Sequence, residues 1–238
     1  TATTTATLPV TVAAVADAPT LEVSAASGDE DTAIALDIVS ALTDTDGSEV
    51  LSVTIDDIPD GTVLSAGTLN DDGSVTLTAD QLEGLTFTTA ANSDADFDLT
   101  VTATSTDGTD TATTTATLPV TVAAVADAPT LEVSAAPGDE DTAIALDIAS
   151  ALTDTDGSEV LSVTIDDIPE GATLSAGTVN EDGSVTLNPA ELAGLTITPA
   201  ANSDSDFTLG VTATSTDGTD TATTTATLPV TVSAVADA

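Results

Sequence analysis

Asp44-Thr45-Asp46-Gly47-Ser48-Glu49 sets three carboxylates at alternate or near-alternate positions around a bend that glycine permits, and the same six residues return from Asp154 through Asp156 to Glu159. That spacing suits oxygen ligation of a hard divalent cation. Calcium takes about six to eight oxygens at roughly 2.3–2.6 Å and tolerates irregular shells, whereas magnesium demands a near-octahedral one. Ca2+ is therefore the expected cofactor. The same residues also make ordinary Asp-capped turns, with glycine in the left-handed region. For any one loop both readings stand.

The rest of the chain bears on the choice. It has no Lys, Arg or His against 41 acidic residues, a formal charge of −41, and Asp exceeds Glu by 31 to 10. Apart from the amino terminus no internal ion pair is available, so acidic clusters fixed in loops must take counter-charge from solution. Nucleic acid is excluded as a partner by the same charge. Disorder, the usual fate of so charged a chain, is opposed by a 41% hydrophobic content rich in strand-forming Val, Ile, Leu and Thr. The core must be aliphatic, since Phe87, Phe97 and Phe207 are the only aromatic residues. Absence of Cys removes disulfides and thiol chemistry. No run is long and apolar enough for insertion into a membrane, and no signal peptide opens the chain.

Catalysis is poorly supplied. Ser, Thr and carboxylates are present, but no His or Lys can activate a hydroxyl. A carboxylate pair would need a cleft that raises one of the two pKa values, and near-copies of one domain would duplicate it without purpose. The expectation is a protein that is not an enzyme.

The stretch from Thr1 to Thr20 returns unchanged from Thr111 to Thr130, and its first twelve residues return again from Thr221. The period is 110 residues, and the two full periods differ at about seventeen positions. A unit of that length is a whole domain rather than a solenoid repeat. The linker Val125-Ala126-Asp127-Ala128-Pro129 interrupts the strand pattern and sets the phase. Domains are expected at 16–125 and 126–235, with 1–15 the terminal strand of a truncated preceding repeat, paired with a neighbouring molecule or sheet edge.

Within one period, alternation at Leu21, Val23 and Ala25, then Ile34, Leu36 and Ile38, then Leu51, Val53 and Ile55, marks three strands. Val63–Ala66 and Ser74–Leu77 are expected to form a hairpin around Asn70-Asp71-Asp72-Gly73. Thr78 and Asn188, each followed three residues later by Gln81 or Glu191, predict a one-turn helix. Leu85 and Phe87, then Phe97 to Thr104, then Ala112 to Leu118 complete the set. Pro119 lies on an outward position of the last strand and predicts a sheet edge or bulge. About seven short strands with regular turn signals predict an all-β chain of two tandem immunoglobulin-like, cadherin-like Greek-key β-sandwiches.

Alternating strand direction then sorts the carboxylates. The linker, B–C loop and F–G loop meet where a domain begins: Asp17, Asp44, Asp46, Glu49, Asp107 and Asp110 in the first, and Asp127, Asp154, Asp156, Glu159, Asp217 and Asp220 in the second. The A–B and E–F loops lie at the far end, with Asp29, Glu30, Asp31, Asp94 and Asp96, and in the second copy Glu140, Asp141, Asp204 and Asp206, followed by Asp237. These are the expected metal ligands, brought together at the junction of consecutive repeats. Mid-strand and hairpin acids such as Asp56, Asp71 and Asp98 read as solvated surface.

The ordered run of an Asp-Ala-Pro linker, Gly28-Asp-Glu-Asp-Thr32, Asp44-Thr-Asp-Gly-Ser-Glu-Val-Leu-Ser-Val-Thr-Ile55 and Val101-Thr-Ala-Thr-Ser-Thr-Asp-Gly108 resembles the extender repeats of giant bacterial RTX adhesins, over essentially the whole chain. That resemblance implies an extracellular array on a bacterial cell surface, exported by a type I system. It also implies calcium in the linkers, neighbouring repeats as end-to-end partners, a monomer, and a distal adhesive domain projected by the rod. The Gly-Gly-rich nonapeptide repeats of such proteins are absent here. The alternative is a ligand-binding module in the same type of adhesin. The threonines at 111, 113, 115 and 117 could order water against ice, although such rows are more often a solvated strand face. Carbohydrate sites usually use aromatic platforms that this surface lacks.

Overall fold

The computed structural model describes residues 1–155 and 157–236. It separates into two units, Thr1–Ala123 and Ala124–Ala238. Unit 1 holds β1 (Thr20–Val23), β2 (Ala26–Asp29), β3 (Ile34–Ala35), β4 (Ile38–Ala41), β5 (Val50–Asp56), β6 (Val63–Leu64), β7 (Thr68–Leu69), β8 (Val75–Thr78), β9 (Thr86–Thr88), β10 (Phe97–Asp107) and β11 (Asp110–Ala123). Unit 2 repeats them as β12 (Thr130–Ser134), β13 (Ala136–Asp139), β14 (Ile144–Ala145), β15 (Asp147–Ala151), β16 (Val160–Asp166), β17 (Thr173–Leu174), β18 (Thr178–Val179), β19 (Val185–Leu187), β20 (Thr196–Thr198), β21 (Phe207–Asp217) and β22 (Asp220–Ser233).

Each unit is an immunoglobulin-like β-sandwich. In unit 1 a six-stranded sheet, ordered β2-β11-β10-β5-β8-β7, faces a layer made of the pair β1-β4 and the triplet β3-β9-β6. Strict alternation on β10 and β5 turns Leu99, Val101, Ala103, Val53 and Ile55 inward, and all are at most 1% exposed. Thr and Asp take the outer positions. Unit 2 builds the same core around Val163, Ile165, Leu209, Val211 and Leu228. Phe87 meets Phe97 edge-on at 5.7 Å in unit 1, whereas Ile197 stands in place of Phe87 in unit 2.

Three details differ from the strand reading. The chain makes many shorter strands, because single strands switch layers. β1 pairs antiparallel with β4, then after Ala25 the chain crosses over and β2 runs parallel to β11, so Asp29, expected in the A–B loop, is the last residue of a strand. The expected hairpin also divides. β6 pairs with β9 in the opposite layer, and only β7 pairs with β8 around the Asn70–Gly73 turn. Gly67, at φ +108°, makes that crossing, and a Cβ there would collide with Val75 and Leu77.

The third difference concerns residues 1–19, which contain no strand. Thr111–Ala123, identical in sequence to Thr1–Ala13, forms β11 by pairing with β10, the strand just before it. Thr1–Ala13 pairs with no strand of either unit. Pro119 behaves as its position required. The β2 pairing on β11 begins only at Val120, so at Pro119 that side of β11 is still a sheet edge.

The capping signals read from sequence are present. The Thr78 amide donates to Gln81 Oε1 at 2.9 Å, and the Asn188 amide donates to Glu191 Oε2 at 2.8 Å. Each opens a single 3-10 turn, Ala79–Gln81 or Pro189–Glu191.

Candidate functional site

Within unit 2 the linker, the B–C loop and the β21–β22 turn meet at one end. Pro129 is buried and its carbonyl accepts from Thr224 Oγ1 at 2.6 Å, which fixes the linker against the sheet. The Ala126 amide donates to Asp220 Oδ2 at 3.1 Å, and the Asp127 amide donates to Glu159 Oε1 at 2.6 Å. Ser158 Oγ reaches Asp217 Oδ2 at 3.3 Å. Asp154, Asp217 and Glu159 are 2%, 3% and 7% exposed. The linker amides thus engage Asp220 and Glu159, Ser158 reaches Asp217, and Asp154 is buried in the same loop region; Asp156 lies outside the described residues.

Unit 1 repeats the arrangement. Ala16 donates to Asp110 Oδ2 at 3.0 Å, Asp17 donates to Glu49 Oε1 at 2.6 Å, and Thr114 Oγ1 donates to the Pro19 carbonyl at 2.6 Å. Asp107 is half-buried beside them on the β10–β11 turn. Here Asp44 and Asp46 cap turns: Asp44 Oδ1 accepts the Asp46 amide at 2.9 Å, and Asp46 Oδ1 accepts the Ser48 amide at 2.8 Å. The Ser48 hydrogen bonds hold the Asp46 carboxyl below its ordinary value. One oxygen of each predicted ligand is therefore already used as a turn cap.

The far ends are tied by side chain to backbone. In unit 1 Asp31 Oδ1 accepts the Asn92 amide at 2.9 Å, with both residues in the left-handed region, and Asp96 Oδ1 accepts the Val122 amide at 2.9 Å. The Glu30 amide donates to the Ala123 carbonyl at 3.0 Å, and Asp29 precedes it at the end of β2. Asp94 sits on the loop between Asn92 and Asp96. In unit 2 Asp141 accepts from Asn202 at 2.8 Å, Asp206 from Val232 at 2.8 Å, and Glu140 Oε1 from Val235 at 2.8 Å. Asp204 occupies the place of Asp94, and Asp237 lies outside the described residues.

Glu49 Oε2 and Glu159 Oε2 are buried and meet no hydrogen-bond donor among the described residues. Burying a carboxylate oxygen without a partner is costly, and this chain owns no cationic side chain to offset it. That is the condition an external cation would relieve. The donors within reach are oxygens alone, which suits calcium and not a soft metal. Among the described residues, however, no three acidic side chains form a set that could hold an ion as they stand. The fit lies in donor chemistry and in the orphaned Glu oxygens rather than in a closed cage.

The sequence showed the acids at the loop ends but not the backbone groups that engage them. The Asp17 and Asp127 amides, not their carboxyls, are the groups that engage Glu49 and Glu159. Backbone donors carry no side-chain signature, so only the fixed spacing between linker and B–C loop could have signalled them.

No family model matches the chain, and no curated protein matches it. Solved structures match over most of its length. The human protocadherin-24 EC1-2 structure, Form II, matches at 14% identity over 90% of this chain and 98% of that one, with a TM-score of 0.41. Drosophila N-cadherin EC1-4 matches at 15% identity over 92% of this chain and 50% of that one, with a TM-score of 0.40. The titin domains Z1Z2, solved in complex with telethonin, match at 13% identity over 94% and 100%, with a TM-score of 0.34. At these scores the similarities say nothing about what this chain binds or does.

The outer face of the six-stranded sheet carries the threonine rows. Thr115, Thr102, Thr54, Thr76 and Thr68 form one row across five strands. Their hydroxyls serve one another and the turn: Thr102 and Thr115 are 3.2 Å apart, and Asn70 Nδ2 donates to Thr76 at 2.9 Å.

Proposed function

We propose that the chain is a non-catalytic structural extender region of an extracellular, adhesin-type surface protein. In this reading calcium held at the loop ends stiffens successive units, and the array projects a distal adhesive domain from a bacterial cell. The observation that carries it is the buried Oε2 of Glu49 and of Glu159, left without a donor among the described residues of a protein that has no cationic side chain. Glu159 in unit 2 and Glu49 in unit 1 would face the ion, with carbonyl oxygens and water completing the shell. The linker amides at Asp17 and Asp127 hold each glutamate in place, so a cation bound there would restrain the linker as well as the loop. Bound calcium would supply positive charge and coordination, not turnover.

The test is calorimetric titration with Ca2+ combined with thermal unfolding in calcium and in chelator. Saturation at about 100 times Kd stabilises a fold by roughly 2.7 kcal/mol, a shift of roughly 10–20 °C for a unit of this size. Small-angle scattering should show the units bending more freely in chelator. Identical melting and scattering in both conditions would end the reading.

The ice-binding alternative is not favoured. A sheet twists by roughly 20–25° per strand, so five strands turn a threonine row through roughly 80–100°, and a flat crystal plane cannot meet it. The hydroxyls are also engaged with one another.

A further inference from the structure

We propose that the cavity between the β5–β6 turn and the β9–β10 loop of unit 1 is a binding site for a neutral polyol the size of one sugar ring. The argument is independent of the cation reading. The cavity measures about 260 Å³ and is walled by Pro59 and Thr62 of the turn, by Thr89 and Ala90 after β9, and by Phe97 at the start of β10. Gly61, at φ +84°, lets the turn close on the loop, since a Cβ there would stand 2.8 Å from that of Ala90. The Oγ1 atoms of Thr62 and Thr89 are buried and meet no hydrogen-bond partner among the described residues. Thr89 as a whole is 7% exposed. A buried hydroxyl without a partner costs stability, and two in the wall of one cavity are what a ligand with hydroxyls of its own would satisfy.

The lining selects the class of ligand. Pro59, Ala90 and the half-buried ring of Phe97 make an apolar wall, and the two hydroxyls are polar points set in it, the usual make-up of a small-molecule site. Phe97 is also an aromatic surface of the kind that the sequence alone did not place. A polyol carries C–H faces and O–H groups on one skeleton, so it can rest on Phe97 while its hydroxyls reach Thr62 and Thr89. Asp60, exposed at the rim, offers a further acceptor. A chain of charge −41 repels anions, and an ammonium group would lose its water against an apolar wall. The volume lies just below the ~300–1,000 Å³ of sites for drug-sized ligands, which limits the occupant to about one ring. Unit 2 supplies the comparison. Its cavity of about 210 Å³ keeps Pro169, Ala200 and Phe207, but Ala172 and Pro199 stand where unit 1 has Thr62 and Thr89.

The test is an NMR titration of the whole chain with methyl pyranosides of neutral monosaccharides, and with methylamine as the cationic comparison. Saturable shifts are expected at the amides of Thr62, Thr89 and Phe97 with at least one pyranoside, and none at Ala172 and Phe207. Thr62→Ala combined with Thr89→Pro introduces the residues that unit 2 already folds with. The double variant should weaken that binding by about 10-fold or more, because two hydrogen bonds are lost, and should at the same time raise the melting temperature of unit 1. A purely structural role for the hydroxyls would not give these opposed effects. The inference is overturned by a panel in which no pyranoside saturates, by equal responses in the two units, or by a double variant that binds as the parent does. Saturation by methylamine alone overturns it as well.

Discussion

The amide of Asp127 donates to Glu159 Oε1 at 2.6 Å, and Asp17 repeats the contact with Glu49 at 2.6 Å. One oxygen of each glutamate fixes a linker while the other is buried without a donor among the described residues. Linker position and local charge are thus joined in a single side chain. Glu159→Gln keeps the acceptor and removes the charge. In chelator the variant is expected to melt at or above the parent. In calcium it is expected to lose most of the parent's metal-dependent gain. Equal calcium shifts in both proteins by differential scanning calorimetry would contradict the assignment.

Asp166 gives a pH prediction. Its side chain lies over Gly210, which stands where unit 1 has Thr100. Burial, then the neighbouring Asp167 charge, push its carboxyl above the ordinary value. A raised pKa in the folded state means that the native form holds the proton more tightly, so the contribution is full below the unfolded value and lost as pH rises through the folded one. Asp166→Asn should therefore stabilise unit 2 at neutral pH. The advantage should vanish below about pH 3.8. Urea midpoints measured across pH test both statements.

Asp182 behaves in the opposite sense. Ser184 donates to its Oδ1 through the hydroxyl at 2.7 Å and the amide at 3.0 Å, holding the carboxyl below its ordinary value. Asp72 is held down by Ser74 in the same way. Stability from a depressed pKa is present above the unfolded value and lost as pH falls through the folded one. Ser184→Ala should bring the Asp182 titration, followed by carboxyl NMR, back toward the usual range. An unmoved titration would show that the hydroxyl plays no part.

Ser105 and Ser215 sit at 0% exposure with hydroxyls that meet no partner among the described residues. Removing an unsatisfied buried hydroxyl recovers about 1 kcal/mol or more. Ser105→Ala and Ser215→Ala should each raise the melting temperature of their unit by a few degrees. The two copies have already made comparable exchanges. The unpartnered hydroxyls of Thr62 and Thr89 in unit 1 correspond to Ala172 and Pro199 in unit 2.

Much of this was legible in the residues. Alternation on Val101, Ala103, Leu118 and Val120 reports a sheet face directly, because the period is fixed by the pleat. The Thr78 and Asn188 caps were equally plain. Layer switching was not: Ala26–Asp29 and Val63–Leu64 change partners through backbone direction, which side-chain patterning does not encode. At the loop ends, carboxylate clustering was visible from Asp44 to Glu49. The orphaned oxygens of Glu49 and Glu159 were not, since they arise where a linker amide from another segment packs over the loop.

The parallel pairing of β2 with β11, and of β13 with β22, joins a segment near each unit's entry to the segment at its exit. Tension applied along the chain would slide these two neighbours past one another and load their hydrogen bonds all at once, not peel them in turn. A unit pulled from its two ends would meet its resistance to extension first at that seam.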